Sequence, residues 1–401
     1  MRIAFLNWRD TANPEGGGSE VYVEEIAARL VERGHVVTVV CAAHDRAPSQ
    51  DVRRGIRFIR RGSKLTVYSE ARRLLRRGAL GPVDVVVDVQ NGIPFLSPWT
   101  GPTPVVVLVH HVHREQWPVV YDPLRSRIGW WVESMLAPWV YRDCRYVAVS
   151  TATSQELTRL GVDPGRISVI RNGTPESADG MGHRPDPEPR ILVLGRLVPH
   201  KRVEHVLEAA AILRDRWPGL RVSIVGDGWW APSLHERARE LQVEDIVEFA
   251  GHVSEERKSQ EISRAWLLAL PSLKEGWGLV VMEAASAGVP TVAYRSAGGV
   301  TESIADGETG ILVDGDADAF AAALDALLRD DRRREAMGNR ARVRARSFTW
   351  EEAVVQFEDV LASAYEDARA APPASGGPIS WWSRRRRTAR PRSAGPPSAR
   401  R

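Results

Sequence analysis

The sequence predicts an α/β protein built from two doubly wound parallel sheets, and three observations carry that expectation. Short, nearly uninterrupted apolar runs recur along the chain, as strands covered on both faces require. Helical periodicity fills most of the intervals between them, the alternation expected of β-α-β units. The alternation breaks at a polar, proline-rich segment, residues 175–189, and then starts afresh. A chain of 401 residues is long enough for two domains, each with its own core.

Taken in order, residues 2–7 form a short apolar strand that runs into a loop bearing Gly16, Gly17 and Gly18. Val23, Ile26, Ala27, Leu30 and Val31 then recur at helical spacing, with Ser19 as the expected N-cap and Gly34 closing the helix. Strands follow at 36–42, 56–61, 83–89, 105–110 and 146–150, the last after a long aromatic-rich stretch, and the first domain closes at 167–174. The second domain repeats the pattern with strands at 190–197, 220–228, 246–253 and 267–273 and helices between them. Residues 350–368 form an amphipathic helix. Two nucleotide-fold halves put a ligand between them, at the carboxyl ends of their strands.

The composition is that of an ordinary globular protein, 43% hydrophobic and 26% charged. No apolar run reaches bilayer length and no early stretch reads as a secretion signal, so a cytoplasmic location is expected. Cys41 and Cys144 are too few for a disulfide framework and read as buried thiols. The net charge of +4 includes eight arginines after residue 383, where there is no acid, so the body without that tail carries −4. The basic balance is therefore no argument for specific nucleic acid binding. Residues 371–401, rich in Pro and Arg, are expected to be disordered.

The most informative stretch is residues 270–313, where an apolar strand, a glycine-bearing turn and a helix start succeed one another. The helix opens at Gly278 and Leu279, and its unpaired N–H groups together with the macrodipole favour an anion such as phosphate there. Glu283, just over one turn into the helix, can reach hydroxyls on one side of that anion, and Glu275, before the helix, hydroxyls on the other. One anion between two carboxylates that read hydroxyls fits a sugar nucleotide. Arg196 and Lys201, five residues apart before the next helix, add a forked guanidinium and a compact ammonium to the same end of a sheet. Cations at a helix start oppose the dipole unless an anion is present. His110, His111 and His113 invite a metal reading, but alternation sends the first two to opposite faces and no carboxylate or thiol completes a ligand set.

The pattern E-G-W-G-L-x-x-x-E at 275–283, followed by A-x-A-G-x-P-x-V, resembles the E-x7-E signature of the retaining glycosyltransferases of family 4. The resemblance covers roughly residues 1–365 and implies the GT-B fold, two Rossmann-like domains facing across a cleft. On it the chain divides into an acceptor domain (1–174), a linker (175–189), a nucleotide-sugar domain (190–348), a helix crossing back to the first domain (349–370) and the tail. It implies transfer of a hexosyl group from a nucleoside-diphosphate sugar, with no metal or other cofactor, to an acceptor that the sequence does not identify. Gly17, Gly18, Arg196, Lys201, Gly276, Gly278, Leu279 and Glu283 would hold the donor, while His110 and Glu275 would serve the reacting sugar. Arg114, Glu115 and Trp117 are pocket candidates through the segment H-x-x-x-R-E-x-W, and Asp227 and Glu302 are placed near the donor by the same likeness. A sugar-nucleotide epimerase of the same architecture and a non-catalytic sugar-nucleotide-binding protein are the alternatives.

Residues 51–78 carry ten basic side chains against Asp51 and Glu70, with leucines and alanines interleaved in 67–80 as in an interfacial helix. An anionic membrane surface is the partner this suggests, with a lipid-linked acceptor. The aromatic run Trp117, Tyr121, Trp130, Trp131, Trp139 and Tyr141 reads either as core packing or as an acceptor groove.

Overall fold

The computed structural model describes residues 1–175 and 183–370 and contains two sheets. The first comprises β1 (Arg2–Leu6), β2 (Val36–Cys41), β3 (Gln50–Arg53), β4 (Ile56–Arg60), β5 (Val85–Gln90), β6 (Val105–Val109), β7 (Arg145–Ala148) and β8 (Ile167–Val169). Their order is β3-β4-β2-β1-β5-β6-β7-β8, and every pairing is parallel except that of β3 with β4. The second comprises β9 (Arg190–Leu194), β10 (Arg221–Val225), β11 (Val247–Gly251), β12 (Leu267–Leu270), β13 (Thr291–Tyr294) and β14 (Gly310–Val313), all parallel in the order β11-β10-β9-β12-β13-β14. These are two doubly wound α/β domains, the GT-B architecture.

The apolar runs form the strands because helices cover both faces. All six residues of β5 are buried, and Ile3 of β1 pairs with Val37 on one side and Val85 on the other. The antiparallel edge strand β3 was not anticipated. It is turned by Arg54 and Gly55, both at positive φ, the twist a two-residue hairpin favours.

Strand order reverses between β1 and β5 in the first sheet and between β9 and β12 in the second. Loops at such switch points splay apart and leave a crevice for ligands. The glycine loop leaves β1, Arg196 and Lys201 follow β9, and the Glu275–Glu283 stretch follows β12.

The 21-residue helix Trp350–Ala370 packs on the first domain, against the helix Gly18–Glu32 and β5, β6 and β7. Val354, Phe357 and Leu361 are fully buried there, and the Phe357 ring stacks on Phe5 at 6.0 Å. Truncating a buried Phe of this kind costs about 3–5 kcal/mol. The helix thereby ties the end of the described chain to the first sheet.

Three readings change. The helix Gly18–Glu32 is capped by Gly17, not Ser19: Glu20 Oε2 accepts the Gly17 N–H at 2.8 Å, and Ser19 sits inside the first turn. Arg60 of the basic run is buried against Asp10 (Nη2 to Oδ2, 2.5 Å) and Asp51 (2.9 Å), while Arg53, Arg54, Lys64 and Arg73 are paired with acids as well. The leucines of the helix Val67–Arg76 face inward: Leu74 and Leu75 pack on the first-domain core beside buried Val67 and Ala71. The amphipathicity of that helix is therefore used by the fold. No helix among the described residues is long and apolar enough to cross a membrane. The expectations for the tail, and for most of the first half of the linker, lie outside the described residues.

Candidate active site in the interdomain cleft

The helix Leu279–Ala287 starts at Gly278, whose φ of 85° is a left-handed conformation that a side chain would strain. The first N–H groups of the helix, which lack i−4 partners, lie at this abrupt turn. The glycine loop of the first domain approaches from the other side. A β-carbon on Gly18 would lie 3.2 Å from Leu279 Cδ1, and one on Gly17 would lie 3.4 Å from Arg196 Nε. The glycines thus permit direct contact between the two halves, at the helix end and at the guanidinium. Gly276 does the same opposite the backbone of His110.

Arg196 and Lys201 come together, lining one small cavity with Gly195 and Ser272. Arg196 has no carboxylate hydrogen-bonded to it among the described residues. Burial first, and then the neighbouring Arg9, push its guanidinium down to about 10, so it stays charged at neutral pH in a place that disfavours charge. Arg9 is itself buried and set against Glu20 at 2.9 Å. A cation held so wants an anion, and the positive end of the helix dipole at Gly278 and Leu279 favours the same anion.

The two glutamates are each met by a lysine. Lys201 Nζ lies 2.5 Å from Glu275 Oε1, and Lys258 Nζ lies 2.9 Å from Glu283 Oε1. Glu275 is fixed further by its backbone, whose N–H donates to Ala297 O and whose carbonyl accepts from Gly299 N. Each carboxylate is thus held in place by an ammonium partner.

His110 follows β6 and is 5% exposed, its ring edge-on to Tyr22 at 5.4 Å. Its Nε2 has no hydrogen-bond partner, and burial, with a smaller push from His113, lowers its pKa to about 4. The ring is neutral at pH 7 and carries an unfilled hydrogen-bonding position, a costly state for a buried polar atom. His111 and His113 lie side by side, ring centroids 4.2 Å apart, with His113 Nδ1 against Glu133 at 2.9 Å. Among the described residues no group of three His, Cys, Asp or Glu is arranged to hold a metal ion.

The pocket candidates divide. Trp117 is enclosed, its indole N–H donating to Glu133 Oε2 at 2.7 Å and its ring packed on Gly129, so it supports the loop from within. Arg114 and Glu115 are exposed on that loop, with the Arg114 guanidinium 5.8 Å from the centre of the Trp130 ring. Glu302 is engaged by protein groups. It accepts from Arg171 at 2.8 Å and from Thr151 and the Ala152 N–H, bridging the domains beside the cleft. Asp227 is exposed, and its carboxylate accepts the Gly228 N–H. Sequence reasoning missed Lys258, Arg9 and Glu20. Lys258 lies in the strongly polar segment 255–261, where nothing distinguishes it from a solvated charge.

Two family profiles cover most of the chain: Glycosyltransferase Family 4 matches residues 16–177, and Glycosyl transferases group 1 matches residues 180–344. The GDP-mannose-dependent alpha-(1-6)-phosphatidylinositol monomannoside mannosyltransferase of Mycolicibacterium smegmatis is 32% identical over 349 residues, 81% of this chain and 89% of that protein. D-inositol 3-phosphate glycosyltransferase 2 of Catenulispora acidiphila is 34% identical over 247 residues, a match spanning 56% of this chain and only 57% of that relative's length. Among solved structures, sucrose-phosphate synthase from Thermosynechococcus elongatus superposes with a TM-score of 0.77 at 21% identity, covering 91% of this chain and 99% of that one, which is a likeness of fold. With both profiles matched and a relative aligned over nearly its whole length, the chain belongs to glycosyltransferase family 4 and has the GT-B fold.

Proposed function

We propose that this glycosyltransferase moves a hexosyl group, with retention, from a nucleoside-diphosphate sugar to a lipid-linked polyol acceptor. The observation that carries the reading is Arg196, a charged guanidinium without a carboxylate, set beside Lys201 and across from the helix end at Gly278 and Leu279. A diphosphate satisfies all three. Glu283 takes the ribose hydroxyls and Glu275 the hexose. The relative matched over 89% of its length is named for GDP-mannose, which makes GDP-mannose the donor we assign.

In this mechanism Arg196, Lys201 and the first-turn amides stabilise the charge that develops on the departing diphosphate, an electrostatic preorganisation that requires no metal ion. Neutral His110 presents its unfilled Nε2 to a sugar hydroxyl without adding charge near the two cations. The acceptor hydroxyl attacks on the face the diphosphate leaves, and the leaving phosphate takes its proton. No carboxylate pair with glycosidase-like roles is evident in the sequence, so a double displacement is not proposed.

Thermal unfolding with GDP-mannose and with UDP- and dTDP-sugars tests the donor, since a true donor stabilises the native state by mass action. The GDP-sugar should raise Tm most, and turnover should persist in EDTA. Loss of turnover in EDTA, restored by a divalent ion, would overturn the metal-free mechanism. Binding without turnover across an acceptor panel would favour a binding protein instead.

A further inference from the structure

The chain passes from the first domain to the second near residues 170–175 and returns near 345–350. At this junction a second cavity, of about 330 Å³, is lined by Val21, Glu25, Arg29, Arg54, Pro175 and Trp350. Small-molecule sites start at about that size. The two passages are bonded to one another: the Thr174 N–H donates to Phe348 O at 2.8 Å, and Thr174 Oγ1 donates to Ala345 O at 2.6 Å. A β-carbon on Gly173 would lie 2.4 Å from Trp350 N. Pro175 and Trp350 therefore present both passages to the cavity. A further wall is the helix Gly18–Glu32, on which Val21, Glu25 and Arg29 recur at four-residue spacing and so share a face.

The polar groups of this cavity are mostly donors. Arg54 Nη1 lies 2.5 Å from Glu25 Oε1 and its Nη2 lies 3.3 Å from Oε2, while Arg29 pairs with Oε2 of the same carboxylate. One anion thus serves two guanidiniums. The next acid, Glu24, is turned away to Thr11, whose N–H it accepts at 2.8 Å. Trp350 is 4% exposed, yet its indole N–H donates to no protein group among the described residues. The Arg29 guanidinium lies 5.9 Å from the centre of that ring. Arg54 reaches the cavity from the tip of the β3–β4 hairpin, at a φ of 49° ahead of Gly55. Asn is the residue a two-residue hairpin prefers at that position.

We propose that this cavity binds a small phosphate ester and that its occupancy is felt in the cleft. Forked guanidiniums match phosphate oxygens, the Trp350 N–H adds a donor, and Val21, Pro175 and the indole offer apolar contact to the rest of the ligand. The added phosphate balances the second arginine. A ligand that touches Pro175 and Trp350 braces both passages of the chain between the domains. By touching Val21 it also braces the helix whose first residue, Gly18, meets Leu279 about one turn away. Binding therefore biases the approach of the glycine loop to the helix at Gly278. The effect on transfer rests on the function proposed above, whereas the binding does not.

The test uses the full chain, two probes, phenyl phosphate and inorganic phosphate, and the variants Arg54→Ala, Arg29→Lys and Arg196→Ala. Arg196→Ala removes the cation of the cleft, so a response that survives it comes from elsewhere. Phenyl phosphate should raise Tm by mass action in the parent and in Arg196→Ala alike. Its Kd should rise about tenfold in Arg54→Ala, which loses a charge-assisted pair, and by less in Arg29→Lys, which keeps the charge and loses the fork. The Arg54 side chain is 50% exposed, so Arg54→Ala should melt near the parent. Inorganic phosphate should bind on the order of tenfold more weakly than the ester, for want of apolar contact; equal binding would overturn the assignment of an ester and leave a bare anion site. No response in the parent would overturn the proposal. So would one that vanishes in Arg196→Ala and persists in Arg54→Ala, which would put the probe in the cleft. Saturating phenyl phosphate should change the donor KM about fivefold in the parent and not in Arg54→Ala, and unchanged kinetics with binding intact would overturn the coupling. If turnover is absent from every protein while the binding pattern holds, only the transfer function fails.

Discussion

The α-carbon of Gly276 packs so closely on the carbonyl oxygen of His110 that a β-carbon there would lie 2.2 Å from it. The loop ahead of the candidate phosphate-binding helix therefore rests directly on the first domain, where the strand bearing His110 ends. The same carbonyl accepts from Thr153 Oγ1 at 3.0 Å, which leaves the backbone little freedom to retreat. Gly276→Ala should hold the domains apart at this point while leaving each core intact. We expect kcat/KM to fall about a hundredfold, close to 3 kcal/mol of transition-state stabilisation, with Tm lowered by only a few degrees. Steady-state kinetics beside a thermal melt checks this, and an alanine variant with parental kinetics would show that the contact is dispensable.

Lys201→Ala removes a cation from the proposed diphosphate site and also strips Glu275 of its partner at 2.5 Å. Losing one preorganised group that faces developing charge costs on the order of a hundred- to a thousandfold in rate, so kcat should fall by that much. Glu275→Gln keeps the shape and loses the charge, and should cost a similar amount. Because the two residues touch, the double variant should be far less impaired than the product of the single effects. Independent, multiplying effects measured in kcat would break the proposed unit.

How much of this could be read in advance differs from residue to residue. The sheets were legible because buried parallel strands such as β5 and β6 leave near-continuous valine runs, a one-dimensional signal. That Arg196 and Lys201 line one cavity was legible because both follow the end of β9 within a single loop, so the local pattern places them together. Lys258 was not, since its partner Glu283 is 25 residues away and comes near only through the packing of two helices. The contacts of Glu302 were hidden for the same reason: Arg171 and Thr151 lie in the other domain. The exposed apolar side chains Leu124, Ile128, Trp131, Met135 and Trp139 were half legible. The aromatics were visible, but which of them faced outward depended on a π-turn that shifts the periodicity and leaves no mark in composition.

In the proposed assignment Glu283 and Lys258 lie on the ribose side, away from the bond being broken, so their contribution should be to binding in ground and transition states alike. Glu283→Gln should raise the donor KM by about tenfold, in line with the loss of a charge-assisted hydrogen bond, with kcat within about threefold of the parent. Lys258→Ala should shift KM in the same direction by less, because it only releases Glu283 from a contact at 2.9 Å. A large fall in kcat at unchanged KM in either variant would place it at the reacting sugar instead.

His110 also makes stability depend on pH in a direction that can be worked out. Its pKa is lowered from 6.5 to about 4 in the folded protein, chiefly by burial. Between those values the unfolded chain binds a proton that the native state refuses, so stability falls as pH drops from above 6.5 toward 4 and levels off below. The most this one group can contribute is about 3 kcal/mol. His200, lowered to about 3 chiefly by burial and next by Lys201, acts in the same sense and extends the decline further into acid. Replacing His110 by Gln removes the first contribution. Urea midpoints measured from pH 4.5 to 7.5 should therefore vary less in His110→Gln than in the parent, with the titration-dependent difference between the curves growing from near pH 7 toward pH 4.5. Parallel curves would mean that the His110 ring takes up its proton in the native cleft, and the neutral imidazole assigned to the sugar site would have to be abandoned.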